Sequence, residues 1–379
     1  MLDYEIWRLI WWGLLGVLLV GFAIMDGLDF GSAALIPFLG KTDEERRVMI
    51  NTVGPVWEGN QVWLLLGGGA IFAAFPAIYA VAFSGFYLAM LIVLAMLILR
   101  PVAFKFRSKM PGATWRRFWD TVLCVSGFVP PVIFGVAVGN AILGAPFTLD
   151  DTMRMTYEGT FFGLLSPFAL LAGVLSLLMI LTQGATWIAL KTEGEIEARA
   201  RKLIPPLVLL TLALFVVGGF WVATGIEGYK ITSEIDPNGP SNPLLKTATQ
   251  EVGFWFHNYT LCPLTRLVPA VVGLGGLVCL GATAARRPLT AFIGSSLTIA
   301  AIITTVGVSM FPFLLPSSVN PSASLTVWDA TSSKTTLQIM TFCALIFVPI
   351  ILAYTGWVYA VLRGKVTKAY IREQSGNLY

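Results

Sequence analysis

Residues 7–37 read WRLIWWGLLGVLLVGFAIMDGLDFGSAALIP, an apolar run from Trp7 to Pro37 broken only by Arg8 at its start and by Asp26 and Asp29 deep inside it. About 20 apolar residues cross a bilayer, so this stretch predicts a transmembrane helix. A charged side chain near mid-bilayer costs roughly 2.5–3.5 kcal/mol on insertion scales, so the two acids need a partner or a purpose. Spaced three apart, they share one helical face, and Gly21, Gly27 and Gly31 beside them permit close helix approach. That face is expected to point into a helical bundle.

The rest of the chain repeats the pattern. Of 379 residues 56% are hydrophobic and 12% charged, with mean hydropathy +0.78, which excludes a water-soluble globule. Nine apolar runs are expected: Trp7 to Pro37, Asn60 to Pro76, Tyr79 to Leu99, Trp119 to Leu143, Phe161 to Leu190, Leu203 to Ile226, Leu264 to Ala284, Leu289 to Leu315 and Leu337 to Leu362. The break between the second and third rests on Phe75-Pro76-Ala77, because proline disfavours helix at the residue before it. Nineteen of the 25 Lys and Arg residues fall in alternate connections, which by the positive-inside rule places the amino terminus outside and the carboxyl terminus in the cytoplasm. The acidic residues Asp3 and Glu5 and the length of the first run argue against a cleaved signal. Nucleic acid drops out as a partner, since these cations serve as orientation signals.

The fold expected is an all-α integral membrane protein of about nine transmembrane helices: two four-helix bundles and one peripheral helix. It forms a single polytopic domain over residues 1–379, with tandem halves at 1–145 and 160–315 and a final helix near 337–362. Cys124, Cys262, Cys279 and Cys343 fall singly, so no zinc or iron–sulfur ligand set is present. The lone histidine, His257, stands in an aromatic stretch suited to the headgroup level and cannot supply the axial ligands of several hemes.

Further polar residues gather at the same depth as Asp26, which lies roughly 25 Å from the outer boundary at 1.5 Å per residue. Glu58 opens the second run within Trp57-Glu58-Gly59-Asn60-Gln61, Arg100 closes the third, and Asp120 opens the fourth. Carboxylates interleaved with amides suit a proton relay, because ionised and neutral forms interconvert and their hydrogen bonds reorient. The proton route is therefore read as Asp26, Asp29, Glu58 and Asp120, with Trp57, Asn60 and Gln61 as polar support. Asp120 reads equally as a boundary residue, and Arg100 reads as a counter-ion for Asp29 or Glu58 in preference to a substrate clamp. Gln183 and Asn140 read as interhelical hydrogen-bonding groups.

Several motifs together resemble subunit II of the cytochrome bd ubiquinol oxidase family. They are Asp3-Tyr4-Glu5, Trp11-Trp12, Asp26-Gly27-Leu28-Asp29, Glu44-Glu45-Arg46-Arg47, Trp57 to Trp63, Phe83 to Tyr87, Arg100-Pro101, Thr182 to Ala185, Phe311 to Phe313, Pro316 to Ser318, Leu325 to Ser333 and the terminal Leu378-Tyr379. The resemblance implies a multi-pass protein of the bacterial inner membrane in a complex that oxidises quinol and reduces dioxygen to water, generating a proton gradient. It implies that hemes b and d are ligated by subunit I, that this chain is not catalytic alone, and that small single-span accessory subunits complete the complex. A quinone held structurally against this subunit, alongside lipid, is implied as well. Without the resemblance, a proton-coupled secondary transporter would be the alternative.

Overall fold

The computed structural model describes residues 3–373; the terminal Leu378-Tyr379 of the resemblance lie outside them. Thirteen α-helices follow in chain order: α1 Tyr4–Leu39, α2 Asp43–Val53, α3 Trp57–Ala74, α4 Pro76–Gly85, α5 Tyr87–Phe106, α6 Ala113–Leu143, α7 Pro167–Lys191, α8 Gly194–Thr224, α9 Asn258–Leu261, α10 Leu267–Ala284, α11 Pro288–Met310, α12 Lys334–Val361 and α13 Lys368–Glu373. Among the described residues eight helices are long and apolar enough to cross a membrane, and nine if α3 and α4 count as one bent span. The long helices alternate in direction. Most Lys and Arg therefore collect at one end of the bundle, here called the basic end, and the longer connections at the far end.

Two expectations about the second and third spans need correction. The axis turns by 117° between α3 and α4 at Phe75, so the chain after Pro76 is a ten-residue bent continuation and the third crossing begins only at Tyr87. Apolar content runs unbroken through Phe86, so hydropathy alone could not place that boundary. At its other end α5 continues past Leu99 and through Pro101 to Phe106.

The α1–α7 crossing depends on the absence of side chains. A Cβ on Gly31 would collide with the Ile180 carbonyl and the Gly184 backbone, and one on Gly184 with Gly31 and Ser32. Gly27 faces Ile180 in the same seam, and on α6 Gly127 abuts the backbone of Phe30 and Ala34. The small residues thus bury the Asp26/Asp29 face of α1, as their spacing predicts.

At the far end three antiparallel ribbons form: β1 Phe147–Leu149 with β2 Met155–Tyr157, β3 Glu227–Ile231 with β4 Ala248–Val252, and β5 Phe313–Leu315 with β6 Leu325–Thr326. Two buried cations tie this layer together. Arg8 donates to Thr331 Oγ1 (3.0 Å), Ser241 Oγ (2.9 Å) and the carbonyls of Pro237 and Gly239. Lys246 pairs with Asp329 at 2.8 Å, and burial, partly opposed by that carboxylate, pushes its ammonium pKa down.

At the basic end α2 lies between crossings. The Thr42 hydroxyl accepts from Glu45 N (3.2 Å), and Glu45 Oε2 in turn accepts from Lys41 N (2.9 Å), so the helix start is capped by its own side chains. Three consecutive acids then reach in different directions. Asp43 accepts from Arg107 and Arg116, Glu44 from Arg372 of α13, and Glu45 from Arg199 of α8, with Lys368 of α13 at 3.5 Å.

Candidate functional site

Asp26 and Asp29 are fully buried, as is Arg100. Arg100 Nη1 lies 2.7 Å from Asp26 Oδ1, a fully buried ion pair. Its guanidinium carbon sits 4.3 Å over the Phe30 ring, which fixes the group on one side with an aromatic face. Asp29 Oδ2 accepts from Asn60 Nδ2 at 2.9 Å, and the Asn60 carbonyl accepts from the Tyr359 hydroxyl at 2.8 Å. Four helices therefore build the site: α1 brings both acids, α3 the amide, α5 the guanidinium and α12 the phenol. Asp26 Oδ2, Asp29 Oδ1, and Nε and Nη2 of Arg100 have no hydrogen-bond partner among the described residues.

The structure does not bring Glu58 into this cluster. Two residues along a helix turn by about 200°, so with Asn60 pointing inward Glu58 points away. Its side chain is 65% exposed and lies 3.6 Å from Lys105 Nζ. Arg100 is accordingly the partner of Asp26, in place of the expected Asp29 or Glu58.

Asp120 is buried but belongs to a second cluster at the membrane edge. Its Oδ1 accepts from Arg107 Nε at 2.5 Å, and its Oδ2 from Arg107 Nη2 (3.2 Å) and Arg46 Nη1 (2.8 Å). With both oxygens held by guanidinium groups, Asp120 joins the ion pairs of Asp43 with Arg107 and Arg116. Of the polar support residues, Trp57 is buried and stacks on Phe104 at 5.8 Å, Asn60 bridges as described, and Gln61 is half-buried. Asn140 donates to the Val136 and Leu164 carbonyls, and Gln183 donates to Ser296 Oγ at 2.9 Å, both linking neighbouring segments.

Tyr359, Arg46 and Arg107 were not singled out from the sequence. Arg46 and Arg107 carry the ordinary positive-inside signal, and nothing in the sequence separates them from other boundary cations. Tyr359 stands near the end of an apolar run, where an aromatic residue normally marks the interface.

His257, the single histidine, is exposed at the far end with its ring stacked on Phe254 at 4.9 Å. Among the described residues no three His, Cys, Asp or Glu side chains are grouped to hold a metal ion.

Comparison with known proteins gives concordant matches. The family model described as cytochrome bd terminal oxidase subunit II matches residues 7–362. Over 379 residues, the whole of both chains, the sequence is 49% identical to cytochrome bd-I ubiquinol oxidase subunit 2 of Escherichia coli strain K12. It is 33% identical over 363 residues to cytochrome bd ubiquinol oxidase subunit 2 of Bacillus subtilis strain 168, covering 94% of this chain and 96% of that one. The fold matches a chain of the bd oxidase structure from Geobacillus thermodenitrificans with a TM-score of 0.71 at 17% identity, covering 94% of this chain and 98% of the other.

Proposed function

We propose that this chain, which belongs to the cytochrome bd terminal oxidase subunit II family, is the second subunit of an inner-membrane quinol oxidase and carries part of the proton supply for oxygen reduction. The observation that carries the proton role is charge balance: two fully buried carboxyls face one guanidinium. A buried site of that composition is neutral only when one carboxyl holds a proton, so it is suited to store a proton between Asp26 and Asp29 and to release it. Asn60 offers its N–H to the ionised form of Asp29, and Arg100 offsets one negative charge throughout.

The positive-inside distribution supports an orientation in which the basic end, with the two acids near it, faces the cytoplasm. Reduction of one dioxygen to two waters consumes four protons, and a storage site at that end draws them from the cytoplasmic side. Glu58, exposed beside Lys105, can exchange protons with solvent or with groups of a neighbouring subunit. Asp120, with both oxygens engaged by arginines, holds the mouth of the route. The hemes b and d belong in this reading to subunit I, since the single histidine here cannot supply the axial ligands of several hemes. A structural quinone, lipid and small single-span subunits are further expected partners. The transporter alternative has no comparison in its favour.

The test uses the complete oxidase. Asp29→Asn keeps shape and removes the transferable proton, so oxygen consumption should fall at least tenfold while heme absorbance stays intact. Glu58→Gln should slow turnover and Glu58→Asp should be milder. Full turnover at full heme content in Asp29→Asn would overturn the proton reading.

A further inference from the structure

We propose that Tyr359 is a positioning residue for Asp29, forming with Asn60 an amide switch whose direction follows the presence of a proton on that carboxyl. The inference deepens the proton-route reading and rests on it. An asparagine side chain has one accepting end and one donating end. Here the NH2 end faces Asp29 and the carbonyl end takes the Tyr359 hydroxyl. That arrangement fits an ionised Asp29, which can only accept. Once protonated at Oδ2, Asp29 must donate, and the amide satisfies it by turning its carbonyl inward. The NH2 end then meets Tyr359, whose hydroxyl oxygen accepts in place of donating. The trio stays linked in both states, but only with Asp29 ionised does the Tyr359 hydroxyl also donate to the amide, so Tyr359 favours that state, and the only heavy atoms that move are those of the amide. No proton passes through Asn60 and Tyr359 keeps its own, so the balance is the single proton gained or lost by Asp29.

The surroundings suit such a switch. The Tyr359 ring meets Trp187 edge-on at 5.8 Å, and Trp187 is anchored by its indole N–H to the Thr52 carbonyl at 3.3 Å, so the phenol stays in place while the amide turns. The charged groups acting on Asp29 are Asp26 of α1 and Arg100 of α5; from α3 and α12 it meets the uncharged Asn60 and Tyr359. On the α7 side Lys191 is engaged by the Leu362 and Gly364 carbonyls and lies over Trp187, and on α6 Asp120 is held by Arg46 and Arg107.

The test titrates the protonated-carboxyl infrared band that Asp29→Asn removes, in the purified complex, across pH. Tyr359→Phe keeps the ring and its packing but leaves the amide carbonyl unanchored. The band should then persist to higher pH by roughly 0.5–1 unit, the equivalent of one net hydrogen bond. Asn60→Ala should shift the band in the same direction, and adding Tyr359→Phe to it should change nothing more. An unchanged titration in Tyr359→Phe, or an equal Tyr359→Phe shift with Asn60→Ala already present, would overturn the switch. So would the lack of any titrating Asp29 band. Should Tyr359→Phe fail to assemble, an unshifted band in Asn60→Ala alone refutes it. Wild-type oxygen consumption in Asp29→Asn would remove the relay reading instead, while the infrared titration still judges the switch.

Discussion

Arg100→Leu should be the most damaging single change at the buried site, and more damaging than Asp26→Asn. At 2.7 Å, with an effective dielectric constant near 20, the Arg100–Asp26 attraction is about 6 kcal/mol before the cost of taking both groups out of water. Removing one partner of such a pair typically costs about 3–5 kcal/mol, because the other is left buried and uncompensated. The two removals differ here. Arg100→Leu leaves two carboxyls and no cation, whereas Asp26→Asn leaves Arg100 beside Asp29, a neutral pair, and should cost about 1–3 kcal/mol. The double variant Arg100→Leu/Asp26→Asn leaves one acid with its Asn60 hydrogen bond and should be milder than Arg100→Leu alone. The assay is the half-life of the purified complex at a fixed elevated temperature, followed by heme absorbance. About 1.4 kcal/mol of barrier is tenfold in rate, so the predicted differences are easily resolved. Equal half-lives for the two single variants, or strictly additive losses in the double, would refute the shared-cation argument.

Gly31→Ala places a methyl group against the Ile180 carbonyl and should destabilise by roughly 1–3 kcal/mol, whereas Gly13→Ala, facing open space, should be close to neutral; thermal half-lives of the two compare them directly. Lys246→Met leaves Asp329 buried without its cation and should shorten the half-life strongly, with Lys246→Met/Asp329→Asn recovering part of the loss. The acids of α2 set an acid limit. Burial works to raise the Glu45 pKa, but the Arg199 hydrogen bond, the Lys41 N–H and nearby cations outweigh it, and the Arg372 hydrogen bond likewise holds Glu44 below its ordinary value of 4.5. With folded-state values depressed, the ties to α8 and α13 are complete above 4.5 and weaken as pH falls through the folded values below it, so pepsin cleavage near α13 should rise only in that range.

The spans and the inward face of the first helix were legible because both depend on local pattern: apolar length sets a crossing, and acids and glycines three and four apart set a face. The break at Phe75 was legible from Pro76, but the sharpness of its bend and the later break at Phe86 were not, because apolar character runs on through both. The misplacement of Glu58 has a different origin. Depth along a helix follows from counting residues, but Glu58 and Asn60 share a depth and differ in azimuth, which requires knowing where α1 and α12 pack. Tyr359 reaches Asn60 across 299 positions of sequence, and no periodicity within α12 announces that meeting. The choice of Asp26 over Asp29 as the Arg100 partner is likewise a matter of helix rotation.

The three acids that open α2 also turn one short helix into a staple for distant parts of the chain. Their cations lie at positions 107 and 116, 199, and 368 and 372, so eleven residues fasten the end of α5, the start of α6, α8 and α13 to one another. The ties are separable: a polypeptide truncated before residue 368 would leave Glu44 without its Arg372 partner while Asp43 keeps both of its own.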